Sequence, residues 1–129
     1  MKIPDIEYFV NRVMSGDICK ECYCLIRRGI QYLRRGFSDY QLWSLDDTIS
    51  RFVYPRLKRF KEGNISFPGG RTNEAEWDKI LDKMILAFQL HSTQWEWDTE
   101  VGNDECNRRY DIICEGMELF GKHFMNLWW

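Results

Sequence analysis

Apolar residues recur every third or fourth position along most of this chain, which is the spacing of one helical face. The clearest segment predicts a helix over residues 73–91, and its face is Trp77, Ile80, Leu81, Met84, Ile85 and Phe88. A last helix over about 104–127 repeats apolar residues at alternating spacings of four and three, as a coiled-coil seam does: Cys106, Tyr110, Ile113, Met117, Phe120, Phe124 and Leu127. No segment alternates apolar and polar residues at period two, so no sheet is expected.

Three further segments show the helical spacing, over residues 4–15, over 17–35 and from Ser44 to about Glu62. The apolar face expected to be buried in the second of them is Ile18, Cys22, Leu25, Ile26, Ile30 and Leu33. In the third, the residues expected to face inward are Ile49, Val53, Leu57 and Phe60. Gly36 is expected to end the second helix, and Thr72 to cap the helix over 73–91.

These patterns predict an all-α fold, a bundle of four or five helices. A length of 129 residues suits a single domain. We expect variable helices over residues 1–35 and a helical core over 36–129. No apolar run approaches the roughly 20 residues that a membrane span needs, and the N-terminus has no leader pattern, so a cytoplasmic protein without membrane contact is expected.

Charge is distributed unevenly along the chain, whose formal net charge is −2. Residues 1–71 carry 13 Lys and Arg against 8 Asp and Glu, whereas residues 72–129 carry 5 against 12. This asymmetry predicts either two faces of opposite sign or halves that neutralise each other on packing. We favour the second interpretation.

The five cysteines indicate a reducing compartment, since their number is odd. Cys19 and Cys22 have the spacing of half a zinc site, and Cys106 and Cys114 are the only candidates for the other half. Buried small apolar side chains are the favoured interpretation of Cys19 and Cys22, and metal binding by Cys19, Cys22 and Cys24 stays open.

The most informative surface feature is a basic stripe opposite the apolar face of residues 17–35. It consists of Lys20, Arg27, Arg28, Arg34 and Arg35. The next predicted helix adds Arg51, Arg56, Lys58, Arg59 and Lys61. Such a stripe is most often a solvated face paired with carboxylates, here those of the second half. However, Lys and Arg also neutralise phosphates, and Arg binds them through two parallel hydrogen bonds.

Aromatic residues accompany the stripe and make up 16% of the chain. Tyr23, Tyr40 and Trp43 offer surfaces on which bases can stack. The candidate ligand-binding residues are therefore Arg27, Arg28, Arg34, Arg35, Arg56, Lys58 and Arg59. A protein devoted to duplex DNA is usually net basic, so a small phosphorylated ligand or an acidic protein fits better.

Four tryptophans lie outside the periodic faces, two at a connection and two at the end of the sequence. The candidate aromatic contacts are Tyr40, Trp43, Trp95, Trp97, Trp128 and Trp129. Large aromatic residues in such places either clamp the bundle, which is the default, or form a docking patch for a partner or a second copy of the chain.

Catalytic patterns are weak. Glu115 and Glu118 have the spacing of one helix of a Mg²⁺-dependent pyrophosphohydrolase, but the facing acids Glu74, Asp78 and Asp82 resemble a solvated face. Neither His91 nor His123 has an evident partner, and no Ser/His/Asp or Cys/His arrangement is predicted. The segment from Gly69 to Thr72 is better explained as a turn and cap than as an anion site. We expect no enzyme, no metal and no cofactor.

Four stretches carry a resemblance to a known family: residues 43–46, 54–61, 76–88 and 120–129. Together they resemble a family of small uncharacterised proteins encoded by tailed bacteriophages and prophages, over roughly residues 36–129. The resemblance implies only a setting, the cytoplasm of an infected bacterium, and it transfers no activity or site residue.

The predicted function is therefore that of a non-catalytic phage-type binding protein. It would sequester a host component, either a defence or regulatory protein or a phosphorylated nucleotide signal, through a basic face flanked by aromatic residues. The alternatives are a phage nucleic-acid accessory protein, a virion assembly protein with Trp-rich contacts and, less favoured, the pyrophosphohydrolase.

Overall fold

The computed structural model describes residues 18–63, 67–69, 73–94 and 101–128. In this part of the chain the α-helices are α1 Ile18–Arg35, α2 Tyr40–Trp43, α3 Leu45–Gly63, α4 Glu74–Ser92 and α5 Asn103–His123, and a 3-10 turn follows at Phe124–Asn126. These residues contain no strand, which confirms the all-α prediction. The helix predicted over residues 4–15 lies outside them, as do Trp95, Trp97, Trp129 and the side chain of Cys19.

The chain divides into two compact units, Met1–Leu45 and Asp46–Trp129. The second unit holds the hydrophobic core, because α4 has the most continuous apolar face of the chain. The buried cluster is Leu57, Trp77, Leu81, Met84 and Phe88. Leu57 is the contribution of α3, while the other four are the predicted inward face of α4. The core is therefore organised around α4.

Polar pairs show the direction in which the helices of the second unit run. From α3 to α4, Ser50 contacts His91 and Lys61 contacts Asp82, so residue numbers rise on one helix as they fall on the other. From α4 to α5, the Trp77 ring contacts the His123 ring. Gln94, near the far end of α4, contacts Tyr110. Successive helices are therefore antiparallel, as short connections favour.

The N-terminus of α4 corrects one sequence prediction. The cap is Asn73 and not Thr72, since Asn73 Oδ1 accepts a hydrogen bond from the Glu76 backbone N–H at 2.9 Å. In return, the Glu76 carboxylate accepts from the Asn73 N–H at 3.4 Å. This reciprocal capping box requires a carboxyl or amide side chain three residues after the cap. Glu76 supplies it for Asn73, whereas the residue three positions after Thr72 is Ala75.

The predicted seam of the last helix is confirmed in most of its positions. Ile113 is buried, and Met117, Phe120 and Leu127 pack against the core of the second unit. Cys106 is half-buried, whereas Tyr110 and Phe124 are exposed. The seam is interrupted at Phe124 because α5 ends at His123 and the chain tightens into the 3-10 turn, which changes the angle between successive side chains.

The apolar face of α1 is the clearest disagreement with expectation. Leu25, Ile26, Ile30 and Leu33 are all exposed, and Leu33 is 89% exposed. Ile49 on α3, also predicted to face inward, is exposed as well. Within the described residues, periodicity predicted the long helices correctly. It shows only that a face is apolar, whereas burial also needs a facing element.

Candidate functional site

The first unit contains a groove of about 520 Å³ between α1 and the segment that ends in α2. It is lined by Cys24, Arg27, Arg28, Gln31, Asp39, Tyr40 and Trp43, and we call it the α1–α2 groove. Its four α1 residues are spaced by three, one and three positions, so they share one helical face. Four predicted site residues therefore lie together in one concave surface: Arg27, Arg28, Tyr40 and Trp43.

A chain reversal after α1 brings the two walls of the groove together. Gly36 adopts a φ of +79°, which ends α1 as predicted, and its N–H donates to the Tyr32 carbonyl at 2.8 Å. Because a side chain at positive φ is strained, glycine suits this position. Two residues later, the Ser38 N–H donates to Gln41 Oε1 at 3.0 Å. This contact holds the start of α2.

Asp39 contacts three residues of α1, namely Gln31, Arg35 and Arg27. Its Oδ2 accepts a hydrogen bond from Gln31 Nε2 at 2.6 Å, and its backbone N–H donates to Gln31 Oε1 at 2.9 Å. Its Oδ1 accepts from Arg35 Nη2, and Arg27 Nη2 lies 4.0 Å from Oδ2. The Arg35 hydrogen bond lowers the pKa of Asp39; burial opposes this shift, while Gln31 and Arg27 add to it.

The two groove arginines differ in their partners. Arg27 lies at the outer limit of an ion pair with Asp39. The Arg28 guanidinium instead lies over the Tyr40 ring, 4.0 Å from its centroid. A guanidinium stacked on a ring keeps its N–H edge free to meet an anion. The carboxylate that pairs with this stripe is Asp39 of the first half, so the predicted pairing with second-half acids is wrong for Arg27 and Arg35.

Trp43 provides the apolar surface of the groove. It is 90% exposed and is the last residue of α2. Burying a large aromatic ring is strongly favourable, so a ring left this open on a concave surface is suited to cover a ligand. Trp43 and Arg28 together offer a flat apolar face beside a cation.

The other candidate cations lie outside this groove. Arg34 and Arg35 are at the end of α1, where the Arg35 Nε donates to the Phe37 carbonyl at 3.2 Å. On α3, the Arg56 guanidinium lies 3.6 Å from the centroid of the Phe52 ring. Lys58 lines a second groove of about 530 Å³, while Arg59 is exposed on the same helix.

The second groove is less suited to an anion than the first. Its lining is Tyr54, Lys58, Lys61, Glu62, Asp82, Ile85 and Gln89. Its two lysines face two acids, and Lys61 Nζ is already 2.5 Å from Asp82 Oδ1. Of the two grooves, the α1–α2 groove is the one that combines guanidinium groups with exposed aromatic rings.

Two carboxylates of the enzyme alternative, Glu115 and Asp82, are engaged in ion pairs. Glu115 accepts a hydrogen bond from Lys83, and Asp82 pairs with Lys61. Within the described ranges, no group of three or more His, Cys, Asp or Glu side chains is placed to hold a metal ion. Of the cysteines, Cys22 is half-buried, and Cys24 and Cys114 are exposed, so the predicted burial holds only in part for Cys22.

The structure contains a Ser/His/Asp contact, although the sequence predicts none. His91 Nδ1 lies 2.9 Å from Ser50 Oγ, and His91 Nε2 lies 3.3 Å from Asp46 Oδ2. Asp46 and Ser50 are four residues apart on α3, so they share a face that meets the end of α4. Ser50 is only 1% exposed, so a substrate cannot reach its hydroxyl. The three side chains therefore join two helices and present no nucleophile.

Trp128 is 66% exposed, so it does not hold the bundle together by packing into it, which was the favoured prediction. Neighbouring Phe124 and Met125 are exposed too, which leaves an apolar patch after α5. None of the described helices combines the length and the apolar character needed to cross a membrane.

Comparison with known proteins gives no match: no family model, no curated protein and no solved structure is similar to this chain.

Proposed function

We propose that this chain is a binding protein that captures a phosphorylated nucleotide in the α1–α2 groove and leaves it chemically unchanged. The observation that carries the proposal is the convergence of Arg27, Arg28, Tyr40 and Trp43 on one concave surface. The side-chain chemistry of each predicts it as a binding residue from the sequence, and the chain reversal at Gly36 brings the four residues together.

Arg28 supports the phosphate half of the proposal. Its guanidinium is fixed over Tyr40 and forms no ion pair with a carboxylate among the described residues. It can therefore donate to phosphate oxygens without first losing another anion. Arg27, whose Nη2 lies 4.0 Å from Asp39 Oδ2, adds a second cation on the α1 side of the groove.

Trp43 supports the base half of the proposal. Stacking on an aromatic residue is worth about 1–3 kcal/mol per base and tolerates any base, because every base has a π-face. The groove volume of about 520 Å³ falls within the range of small-molecule pockets. A single nucleotide fits this space, whereas a long nucleic acid would need the rest of the stripe.

The phage setting expected from the sequence suggests a purpose for such binding. A phage protein that holds a nucleotide signal of its host would lower the concentration of that signal for host receptors. Sequestration needs affinity and abundance but no catalytic group, which agrees with the ion-paired state of Glu115 and Asp82.

The proposal is tested by calorimetric titration of the full chain with ATP, GTP, cyclic AMP and cyclic GMP at low salt. Arg28→Ala and Trp43→Ala are each expected to weaken binding about tenfold, the effect of one charged hydrogen bond or one stacked base. Two controls are expected to bind normally: Arg34→Ala, on the same helix outside the groove, and Trp128→Ala, an exposed tryptophan elsewhere. Absence of nucleotide binding in the unaltered protein would refute the proposal.

Two of the three alternatives are distinguished by further binding and activity measurements. A nucleic-acid accessory protein would bind a single-stranded oligonucleotide more tightly than any mononucleotide, and Arg34→Ala would weaken that binding. A pyrophosphohydrolase would convert a nucleoside triphosphate in the presence of Mg²⁺ and lose this activity in Glu115→Gln.

A further inference from the structure

Two guanidinium groups of α1 converge on the carboxylate of Asp39. This carboxylate accepts a hydrogen bond from Arg35 and lies 4.0 Å from Arg27. Carboxylate and phosphate oxygens compete for the same N–H donors of an arginine. An anion that approaches these arginines must therefore displace Asp39.

The surroundings of Asp39 allow the carboxylate to leave without loss of the groove. The Asp39 backbone N–H keeps its hydrogen bond to Gln31 Oε1 wherever the side chain turns. Arg35 is held independently, because its Nε donates to the Phe37 carbonyl and its guanidinium lies 4.7 Å from the Phe37 ring centroid. The arginine thus stays in position while its anionic partner is exchanged.

The ion pairs of Asp39 are also weak enough to be exchanged. The side chains of Asp39, Arg35 and Arg27 are 52%, 41% and 63% exposed, and exposed pairs contribute little. A dianionic phosphate attracts the same guanidinium groups more strongly than one carboxylate does.

We propose that the Asp39 carboxylate, which lines the α1–α2 groove, competes with a ligand phosphate for Arg27 in the groove and for Arg35 beside it, so that Asp39 sets the affinity of the groove for phosphate groups. This inference rests on the proposed function for the identity of the ligand, but the competition itself needs only an anion. The carboxylate also excludes weak anions, since a ligand must offer a charge that outcompetes it. Asp39 is therefore a specificity-determining residue.

The test compares Asp39→Asn with Asp47→Asn in the full chain. Both substitutions remove one negative charge, and both residues pair with an arginine four positions away; Asp47 pairs with Arg51 at 2.7 Å and does not line the groove. Binding of inorganic pyrophosphate and of ATP is measured by calorimetry. Asp39→Asn is expected to bind both about three- to tenfold more tightly than the unaltered protein, since an exposed ion pair no longer competes. Asp47→Asn is expected to bind normally.

The gain in Asp39→Asn is expected to vanish at high salt, where exposed charges are screened. Unchanged or weaker pyrophosphate binding by Asp39→Asn would overturn the inference, because Asp39 would then position the arginines. If pyrophosphate binding tightens but ATP binds no better than pyrophosphate, the competitor role stands and the nucleotide proposal fails. If ATP binds well and Asp39→Asn changes nothing, the reverse holds. No binding of either probe by any variant would overturn both.

A second measurement does not depend on a variant. The side-chain carboxyl signal of Asp39 is followed by NMR through a pH titration, with and without pyrophosphate. Displacement from Arg35 removes the main contact that lowers the pKa of Asp39, so the pKa is expected to rise when pyrophosphate binds. A pKa unchanged by saturating pyrophosphate would show that the carboxylate is not displaced.

Discussion

Gly116 on α5 packs against Ala87 on α4 so closely that neither position has room for a larger side chain. A Cβ atom on Gly116 would overlap the Ala87 Cβ and lie 2.7 Å from the Lys83 carbonyl oxygen. Since both neighbours belong to a packed helix, neither can move aside cheaply. The closest approach of α4 and α5 therefore depends on a glycine, which helices otherwise disfavour.

Gly116→Ala is expected to destabilise the protein by about 1–3 kcal/mol, since overpacking outweighs the better helix propensity of alanine. The matched control is Gly121→Ala on the same helix, where a Cβ would meet nothing within 4 Å. That substitution should raise stability by up to about 1 kcal/mol. Urea denaturation measures both, and equal effects of the two substitutions would contradict the close contact at Gly116.

The contact between Ser50 and His91 is predicted to join α3 to α4. Ser50→Ala leaves His91 Nδ1 without its buried partner, so a loss of about 1–3 kcal/mol is expected. A double-mutant cycle with His91→Ala should give a coupling free energy of at least about 0.5 kcal/mol. In the control cycle, Ser50→Ala and Gly121→Ala should be additive. Additivity in both cycles would contradict the contact.

His123 should make the stability of the protein depend on pH. Its ring packs against Trp77 at 5.5 Å between centroids, and burial lowers its pKa, with a smaller effect of Lys122. A histidine with a lowered pKa in the native state binds fewer protons when folded than when unfolded. The free energy of unfolding should therefore be fully maintained above the ordinary histidine pKa of 6.5 and fall as the pH falls below it.

The measurement is urea denaturation at several pH values between about 7 and 5, the range over which histidine titrates. His123→Gln should give a shallower slope than the unaltered protein. The remaining side chains are common to both proteins, so their effects cancel in the comparison. Parallel slopes would refute the effect of His123.

A pair of leucines tests the difference between an apolar face and a buried one. Leu81→Ala, at a site 1% exposed in the core, should cost about 2–5 kcal/mol. Leu33→Ala, at an exposed site on α1, should change stability by less than about 0.5 kcal/mol. Thermal or urea denaturation distinguishes the two. A large loss at Leu33 would show that the α1 face is covered in solution.

The helices were predictable because their signals are local. The helix predicted over residues 73–91 is observed at Glu74–Ser92, since apolar periodicity and the residues around its cap act over a few positions. Burial was not predictable for α1, because Leu33 carries the same local pattern as Leu81. Which face is covered depends on a partner element distant in sequence, and periodicity does not encode it.

The site was predictable in its chemistry but not in its geometry. Arg27, Arg28, Tyr40 and Trp43 could be chosen as cations and stacking surfaces from composition and helical position alone. Asp39 was missed because it lies eight residues from Gln31 and beyond the end of α1, so no helical spacing relates them. The sequence feature that could have indicated this contact is Gly36. Its positive φ in the structure reverses the chain, so that the following residues return to the last turns of α1.

The Tyr40 ring is predicted to hold Arg28 in the orientation that binds phosphate. Tyr40→Leu removes the π-face beneath the guanidinium, a contact worth about 0.5–1 kcal/mol at an exposed site, so nucleotide and pyrophosphate binding should weaken about two- to fivefold. Tyr40→Phe keeps the ring and should bind normally. Arg28→Lys retains the charge but loses the flat stacked group, so it should resemble Tyr40→Leu. Calorimetry on the three variants decides the point: if Tyr40→Phe weakens binding as much as Tyr40→Leu, the phenolic hydroxyl, and not the ring beneath Arg28, serves the ligand.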